Sequence, residues 1–266
     1  MAANAGEARP IAGGQSLIPM LAFRLAGPPL LIDLRKVPGL GGISVCGEWL
    51  SVGARVRWCD IENDSRLPAA HPLLAAAVSH VAHYPIRNRG TVGGSLAHAD
   101  PAAELPGVAV TCDAEIVVAS AVRTRVIAAR DFFLGPMMTA LAPDELIVEL
   151  RLPAWRAQQR WAFEEFSRQR GGFALAGVAV CYDEREGAAS ESRIGVIGAS
   201  SFARRIPEAE AALNGRMVDE QAILAAAQAA AAAVDPEDDL DASAAYRRAL
   251  VATLTERALR SAAAAK

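Results

Sequence analysis

Several features common in membrane, secreted and nucleic-acid-binding proteins are missing from the sequence. Lysine occurs only as Lys36 and Lys266, and the formal net charge of −3 provides no basic field that would attract nucleic acid. No apolar run approaches the length of a helix that crosses a bilayer. The segment from Met1 to Pro10 contains no hydrophobic signal core. We therefore expect a protein that binds no nucleic acid, is not an integral membrane protein and is cytoplasmic.

Cysteine is scarce and is spaced poorly for metal chemistry. The four cysteines are Cys46, Cys59, Cys112 and Cys181. They form no Cys-x-x-Cys pair, so we expect buried free thiols and no iron–sulfur cluster within this chain. His80 and His83 could share a helical face, but no Cys or acidic residue nearby completes a metal site. The sequence thus predicts no metal here, and any iron–sulfur cluster is expected in another subunit.

The first part of the chain has a mixed α+β pattern. The 266 residues are 52% hydrophobic, which is enough for one large domain or two modest ones. As far as about Arg151, short apolar runs alternate with Gly-rich turns, without the regular alternation of a doubly wound sheet. Asp131 is expected to cap a short helical turn. The spans predicted here are strands at residues 30–33, 50–53, 115–119 and 146–152, and helical segments at residues 55–63 and 72–81.

The composition changes after Pro153. A polar stretch at 154–160 predicts a linker, so the expected domains are residues 1–153 and residues 160–266. The second of these is predicted to be a small α+β domain with a three-stranded antiparallel sheet followed by helices. The predicted strands are residues 161–169, 173–182 and 193–199, with turns at 171–172 and 184–192, and the predicted helices are residues 207–213, 219–234 and 244–263.

Two glycine-rich segments are candidates for an anion-binding site. Ile11-Ala-Gly-Gly-Gln-Ser16 and Thr91-Val-Gly-Gly-Ser95 each hold a glycine pair that follows an apolar residue and precedes a hydroxyl residue. Glycine adopts positive φ readily and has no side chain, so successive N–H groups can converge on one oxygen of a pyrophosphate. Taken alone, each pair is explained better by a tight turn between buried elements. Neither segment has the G-x-G-x-x-G or P-loop spacing, so a Rossmann site is poorly supported.

Longer stretches around these segments carry a family resemblance. They are Ile11 to Met20 with Phe23-Arg24-Leu25, Leu30 to Leu34, Pro85 to Pro106, Asp131 to Gly135, Asp144-Glu-Leu146 and Phe163 to Phe173. In this order they resemble the medium, FAD-binding subunits of molybdenum hydroxylases of the carbon monoxide dehydrogenase and xanthine dehydrogenase type. The match through Pro85 to Pro106 is long, which makes the resemblance specific, and the similarity continues to the C-terminal helix.

The resemblance implies a fold, a cofactor and a set of binding residues. The fold is that of the vanillyl-alcohol oxidase and p-cresol methylhydroxylase flavoproteins, with two α+β subdomains around an extended FAD. The residues expected near the pyrophosphate and ribityl chain are Ala12, Gly13, Gly14, Gln15, Ser16, Thr91, Val92, Gly93, Gly94 and Ser95. Glu104, with Asp100 as a second candidate, is expected near the adenosine ribose. Ile147 is expected to contact the flavin, and Phe173 to lie beside the isoalloxazine ring.

The resemblance also implies a role in electron transfer, with no catalytic side chain in this subunit. In the family, a large molybdopterin subunit hydroxylates the substrate, and electrons pass through two [2Fe–2S] clusters of a small subunit to FAD and then to an acceptor. The expected assembly is a dimer of heterotrimers. Family members usually begin with a strand and a helix before the first loop, and here most of that element is expected to be missing. The alternatives are a free-standing flavin oxidase of the vanillyl-alcohol type and a scaffold subunit without flavin.

Overall fold

Within the described residues, two larger antiparallel sheets organise the chain, one in each half of the sequence. The structure is a computed structural model that describes residues 2–4 and 7–264. The elements of the first half are, in chain order, a 3-10 turn at Ala2–Asn4, β1 (Ala8–Ile11), α1 (Leu17–Ala22), β2 (Leu30–Asp33), a 3-10 turn at Leu34–Lys36, β3 (Ile43–Cys46), β4 (Trp49–Gly53), α2 (Trp58–Glu62), α3 (Leu67–Ala70), α4 (Pro72–Val78), α5 (Tyr84–Arg87), α6 (Val92–His98), α7 (Glu104–Thr111), β5 (Glu115–Ala119), β6 (Thr124–Ala128), a 3-10 turn at Ala129–Asp131, β7 (Phe133–Gly135), β8 (Met138–Thr139) and β9 (Leu146–Pro153). Those of the second half are β10 (Gln159–Ser167), β11 (Ala174–Arg185), β12 (Ala188–Ile197), β13 (Arg204–Arg205), α8 (Pro207–Leu213), α9 (Glu220–Ala233) and α10 (Ala244–Ala264).

The sheet of the first half has five strands in the order β3-β4-β9-β5-β6. Alternate residues of its central strands, such as Leu50 and Val52 on β4 and Leu150 and Leu152 on β9, are fully buried. This period of two places one face of the sheet against the helices α2, α4, α6 and α7, which supply most of the remaining core. A separate parallel pair, β1 and β2, precedes this sheet and holds the first glycine-rich segment between β1 and α1.

The sheet of the second half has the order β10-β11-β12-β13 and carries the three last helices on one face. Arg247 of α10 is buried and donates hydrogen bonds to the carbonyl oxygens of Leu175 and Gly198, each at 2.7 Å. These two charge-assisted bonds join α10 to the sheet at its β11 and β12 strands. The Ala-rich helix α9 is packed, with Asp219 as its N-cap accepting from the Ala222 amide.

The structure confirms most of the predicted elements and corrects several. Asp131 does not cap a helical turn: it ends a 3-10 turn, and Phe133 begins β7. The segment 184–192 is mostly strand, because β11 and β12 continue into a two-residue turn at Glu186 and Gly187, both with positive φ. The predicted helices at 55–63 and 72–81 are shorter, at residues 58–62 and 72–78. The second sheet also has a short fourth strand, β13, beside the three predicted ones.

Candidate functional site

The first glycine-rich loop, which connects β1 to α1, presents free backbone amides. Within the described part of the chain, no acceptor is bonded to the N–H groups of residues 13, 14, 15 and 16. Gly14 has a φ of +73°, a left-handed conformation that favours glycine. The Gln15 side chain donates to the Gly13 carbonyl at 3.1 Å, a hydrogen bond within the loop that stabilises its conformation. Consecutive amides beside a residue of left-handed conformation form a concave group of donors that suits an anion.

The second glycine-rich loop is built differently, which corrects the interpretation of its amides. Four of these amides already donate within the protein, from Val92 to Val56 O at 2.9 Å, from Gly93 to Ala54 O at 2.7 Å, from Gly94 to Thr91 Oγ1 at 3.2 Å and from Ser95 to Thr91 O at 3.0 Å. Thr91 is therefore the N-cap of α6. Gly93 allows close packing, since a Cβ atom there would lie 2.6 Å from the Cβ atom of Ala54. This loop does not offer a row of free amides, although Gly94 is exposed and Ser95 is half-exposed.

The two loops touch each other through the residues just before Thr91. A Cβ atom at Gly13 would lie 2.0 Å from the Arg89 carbonyl oxygen, so glycine is required for this contact. The Arg89 side chain is exposed, with Nε 3.5 Å from Gly13 O, and no carboxylate among the described residues pairs with it. Arg87, in contrast, binds Glu62 and two backbone carbonyls and is a structural residue. Of these two arginines, Arg89 is the cation that remains available beside the first loop.

Ile147 is placed near the second loop by the packing of β4 against β9. The Ala54 carbonyl accepts a hydrogen bond from the Gly93 amide, and the Ala54 amide donates to Val148 O at 3.0 Å. Ile147 is buried at the start of β9, next to that bond. Just before it, the buried carboxylate of Glu145 receives two hydrogen bonds of 2.7 Å from Arg125, which lower the pKa of Glu145 to about 2. This bidentate pair fixes the chain where it enters β9.

A group of carboxyls lies where α7 begins. Asp100 accepts a bond of 2.9 Å from the Ala102 amide and forms the turn before α7, which gives it a structural role. Glu104 is half-buried, and burial together with the Asp100 carboxylate raises the pKa of Glu104 to about 7. On β10, burial and the charge of Glu104 raise the pKa of Glu165 to about 8. The Glu165 Oε2 atom is buried without a hydrogen-bond partner.

Glu165 was not among the residues singled out from the sequence as part of the site. The period of two along β10 places it on the same face as the buried Phe163, and that alternation was the available signal. The neighbouring Glu164 lies on the other face, because adjacent residues of a strand point to opposite sides of the sheet. The sequence could not predict that Glu104 lies close to Glu165, because Glu104 belongs to α7 in the other half of the chain.

Phe173 lies in the turn between β10 and β11 and is 78% exposed, although it is a large aromatic side chain. The preceding Gly171 has a φ of +75°, and a Cβ atom there would lie 2.6 Å from Ala82 O and from His83 Nδ1. The turn of the second half therefore rests directly on the first half. A cavity of about 620 Å³ lies beside this contact, lined by residues that include His80, His83, Glu165 and Arg170.

The geometry as a whole fits a dinucleotide such as FAD. The free amides of the first loop suit a diphosphate, as does Arg89, which pairs with no carboxylate among the described residues, and the exposed Phe173 suits an aromatic ring. His80 packs edge-on against Phe163 at 5.1 Å, and burial lowers the pKa of His80. In residues 2–4 and 7–264, no group of three or more His, Cys, Asp or Glu is placed to hold a metal ion. No helix in the same residues is long and apolar enough to cross a membrane.

Comparison with known proteins identifies the family. The family model described as FAD binding domain in molybdopterin dehydrogenase matches residues 1–155, and that of the CO dehydrogenase flavoprotein C-terminal domain matches residues 161–262. The nicotine 6-hydroxylase medium subunit of Paenarthrobacter nicotinovorans is 40% identical over 253 residues, which cover 95% of this chain and 89% of that one. The carbon monoxide dehydrogenase medium chain of Hydrogenophaga pseudoflava is 36% identical over 256 residues, which cover 96% of this chain and 89% of that one.

A solved structure agrees with the sequence matches. The carbon monoxide dehydrogenase from Hydrogenophaga pseudoflava, in a form that lacks the Mo-pyranopterin moiety of its molybdenum cofactor, superposes with a TM-score of 0.94 at 38% identity. The superposition covers 96% of this chain and 89% of that chain. The chain therefore belongs to the FAD-binding medium subunits of the molybdenum hydroxylases, a family of oxidoreductases that includes carbon monoxide dehydrogenase.

Proposed function

We propose that this chain is the subunit that carries electrons by way of FAD in a molybdenum hydroxylase complex. Electrons come from [2Fe–2S] clusters of a small partner subunit and leave for an external acceptor, while a large molybdopterin subunit hydroxylates the substrate. Bound FAD supplies the redox chemistry, since a flavin can accept electrons singly and release them as a pair. The row of free amides in the first loop is the observation on this chain that best supports the proposal.

The residues of this chain bind and orient the cofactor. The amides of Gly13, Gly14, Gln15 and Ser16 hold the diphosphate, and Arg89 adds a positive charge beside them. Ala12 belongs to the same loop. Arg89, whose carbonyl meets Gly13, leads into the second loop of residues 91–95, and this loop offers the Ser95 hydroxyl as a donor. No group in this mechanism acts as a nucleophile or as a catalytic acid or base.

The remaining residues have orienting roles in the proposal. Glu104 binds the ribose hydroxyls as a half-buried acceptor, with Asp100 positioning the turn before it. Ile147 contacts the flavin from the start of β9. Phe173 covers the isoalloxazine ring, and removing its 78% exposed surface from water is a source of binding free energy.

We further propose a domain division and an assembly. Residues 1–153 form an FAD-binding domain of the vanillyl-alcohol oxidase type, and residues 160–266 form the smaller α+β domain that carries Phe173. The pair β1–β2 and the five-stranded sheet are the candidates for its two subdomains. The complex is a dimer of heterotrimers, and its cytoplasmic location stays a prediction from the sequence.

Equilibrium binding to the purified chain tests the proposal. We expect visible flavin absorbance after addition of FAD, competition by ADP, and binding of riboflavin at least about tenfold weaker than that of FAD, because riboflavin lacks the diphosphate. A chain that binds FAD and riboflavin equally would contradict the role of the first loop. A colourless chain would support the scaffold alternative, and oxidation of a phenol or alcohol by the chain alone would support the free-standing oxidase.

A further inference from the structure

Two of the four cysteines meet at the junction between the two halves of the chain. Cys112 ends α7, and Cys181 lies on β11 of the second sheet, and both are buried. The Cys181 sulfur is 3.9 Å from the carbonyl oxygen of Thr111, the residue before Cys112. The Cys181 thiol is the donor of that contact, and each of the two thiols also shifts the pKa of the other. Residues 69 positions apart in the sequence (181 − 112) are thus adjacent in space.

Ion pairs hold this junction in register. Asp113, the residue after Cys112, binds Arg193 at 2.8 Å and Arg205 at 2.6 Å, and both arginines belong to the second sheet. Arg193 is also the cross-strand partner of Cys181 on β12, which brings its guanidinium beside the thiol. The segment around Cys112 is therefore attached to the strands around Cys181 by charged contacts on one side and by the thiols on the other.

Of the two thiols, Cys181 has the lower pKa. The hydrogen bond between the thiols and the positive charge of Arg193 lower the pKa of Cys181 against the opposing effect of burial, whereas the same hydrogen bond and burial raise the pKa of Cys112. A thiol of lowered pKa beside a thiol that remains protonated is the arrangement of a nucleophilic cysteine and a resolving cysteine.

A cavity lies beside both cysteines. It has a volume of about 540 Å³ and is lined by both cysteines, Trp155, Arg193 and other residues around the linker. His71 also lines it, fully buried, with Nε2 lacking a hydrogen-bond partner, and Nδ1 accepts from the Leu74 amide at 3.2 Å. The neutral imidazole therefore keeps an N–H donor at Nε2 that no acceptor among the described residues uses, and the ring packs edge-on against Trp155 in the wall of the cavity.

We propose that Cys112 and Cys181 form a peroxide-sensitive dithiol whose oxidation links the two halves of the chain by a disulfide. The Cys181 thiolate attacks one oxygen of hydrogen peroxide, the O–O bond breaks, and the released hydroxide takes up a proton to become water. The Cys112 sulfur then attacks the sulfenic acid of Cys181, forms the S–S bond and releases a second water. In sum, two thiols and one peroxide give one disulfide and two waters, with the thiols oxidised and the peroxide reduced.

The disulfide would join the element that begins with Glu104 to the strand that follows Phe173. Oxidation would therefore fix the two halves relative to each other while leaving the glycine-rich loops untouched. The dithiol does not depend on FAD binding, so its test and that of the proposed function can fail separately.

Peptide mapping of the full chain tests the proposal directly. Cleavage after Arg and Lys places each cysteine on a separate peptide, with Cys112 on residues 90–123 and Cys181 on residues 171–185. After mild peroxide treatment and alkylation in denaturant, we expect a cross-linked pair of these two peptides that disappears on reduction. Alkylation of both thiols as complete as in the untreated chain would overturn the proposal, as would their oxidation to sulfinic acids without a cross-link.

Cysteine variants distinguish the nucleophilic role proposed for Cys181 from the resolving role proposed for Cys112. In a Cys46→Ala/Cys59→Ala background, we expect two alkylatable thiols before peroxide, none after it, and the loss of two hydrogen atoms from the intact mass. In this background, Cys112→Ser should leave a Cys181 sulfenic acid that dimedone traps. Cys181→Ser should slow the oxidation of Cys112 at least about tenfold, because its thiol stays protonated. Equal rates in the two variants would overturn the assignment, and circular dichroism establishes that each variant is folded.

Discussion

Replacing Gly14 by alanine tests whether the left-handed conformation of the first loop is used for binding FAD. The φ of +73° at this position strains any residue with a Cβ atom, and the added Cβ would lie 3.1 Å from Ile18 Cγ1. An L-residue pays about 1–2 kcal/mol for this region of φ. In the Gly14→Ala variant the loop should relax in the free chain, and FAD must then restore the strained conformation when it binds. A strain of about 1.4 kcal/mol would raise the dissociation constant of FAD about tenfold.

Gly215 supplies the matched control. It has a φ of +76°, and no atom lies within 4 Å of a Cβ built there. Gly215→Ala should therefore lower the free energy of unfolding by about 1 kcal/mol without changing FAD affinity. Titration of each variant with FAD and urea denaturation measure the two quantities. The reasoning fails if Gly14→Ala keeps the affinity of the unsubstituted chain, or if both variants lose affinity equally.

Three further substitutions test the acidic group, the second sheet and the exposed aromatic. Burial and the charge of Glu104 raise the pKa of Glu165 to about 8. The folded protein therefore keeps a proton on Glu165 at a pH at which the unfolded chain, with the ordinary pKa of 4.5, has released it. Stability should therefore fall as the pH rises from about 5 to about 9, and Glu165→Gln but not Glu164→Gln should flatten this fall in urea denaturation. Arg247→Met leaves the buried carbonyl oxygen of Leu175 and the part-buried one of Gly198 without this donor and should cost about 3 kcal/mol in the same assay, and a loss below about 1 kcal/mol would contradict the structure. Phe173→Ala should change the free energy of unfolding by less than about 0.5 kcal/mol but weaken FAD binding several-fold, since aromatic contacts contribute about 1 kcal/mol; unchanged affinity would refute the stacking role.

Local signals in the sequence predicted much of the secondary structure. The α8 helix at Pro207–Leu213 begins with proline at its first position, and the strand at Glu115–Ala119 is a short β-branched run, so both have the predicted bounds. The prediction of a turn at 184–192 was wrong because polar residues suggested a loop, whereas the strands continue through this segment with exposed polar side chains such as Arg185 and Glu191. Asp131 was also misread, since a capping residue type does not reveal whether a helix or a 3-10 turn surrounds it.

The two glycine pairs show most clearly what the sequence could and could not predict. Sequence similarity was sufficient to place both loops in one family and to predict FAD. It could not distinguish Gly14, which has positive φ beside free amides, from Gly93, which packs against Ala54 while its amide is already bonded. The distinction depends on which backbone segment lies opposite each glycine, and that segment is distant in the sequence.

The sequence by itself determined the family, the order of most elements and the residues that flank the loops, because periodicity, caps and motifs act over a few neighbouring positions. Only the tertiary structure decided which groups face each other across the two halves. Glu165 meets Glu104, and Cys181 meets Cys112, because the second sheet packs on the helix α7. Charge and reactivity at these positions depend on burial and on neighbours distant in the chain, and no local pattern encodes either.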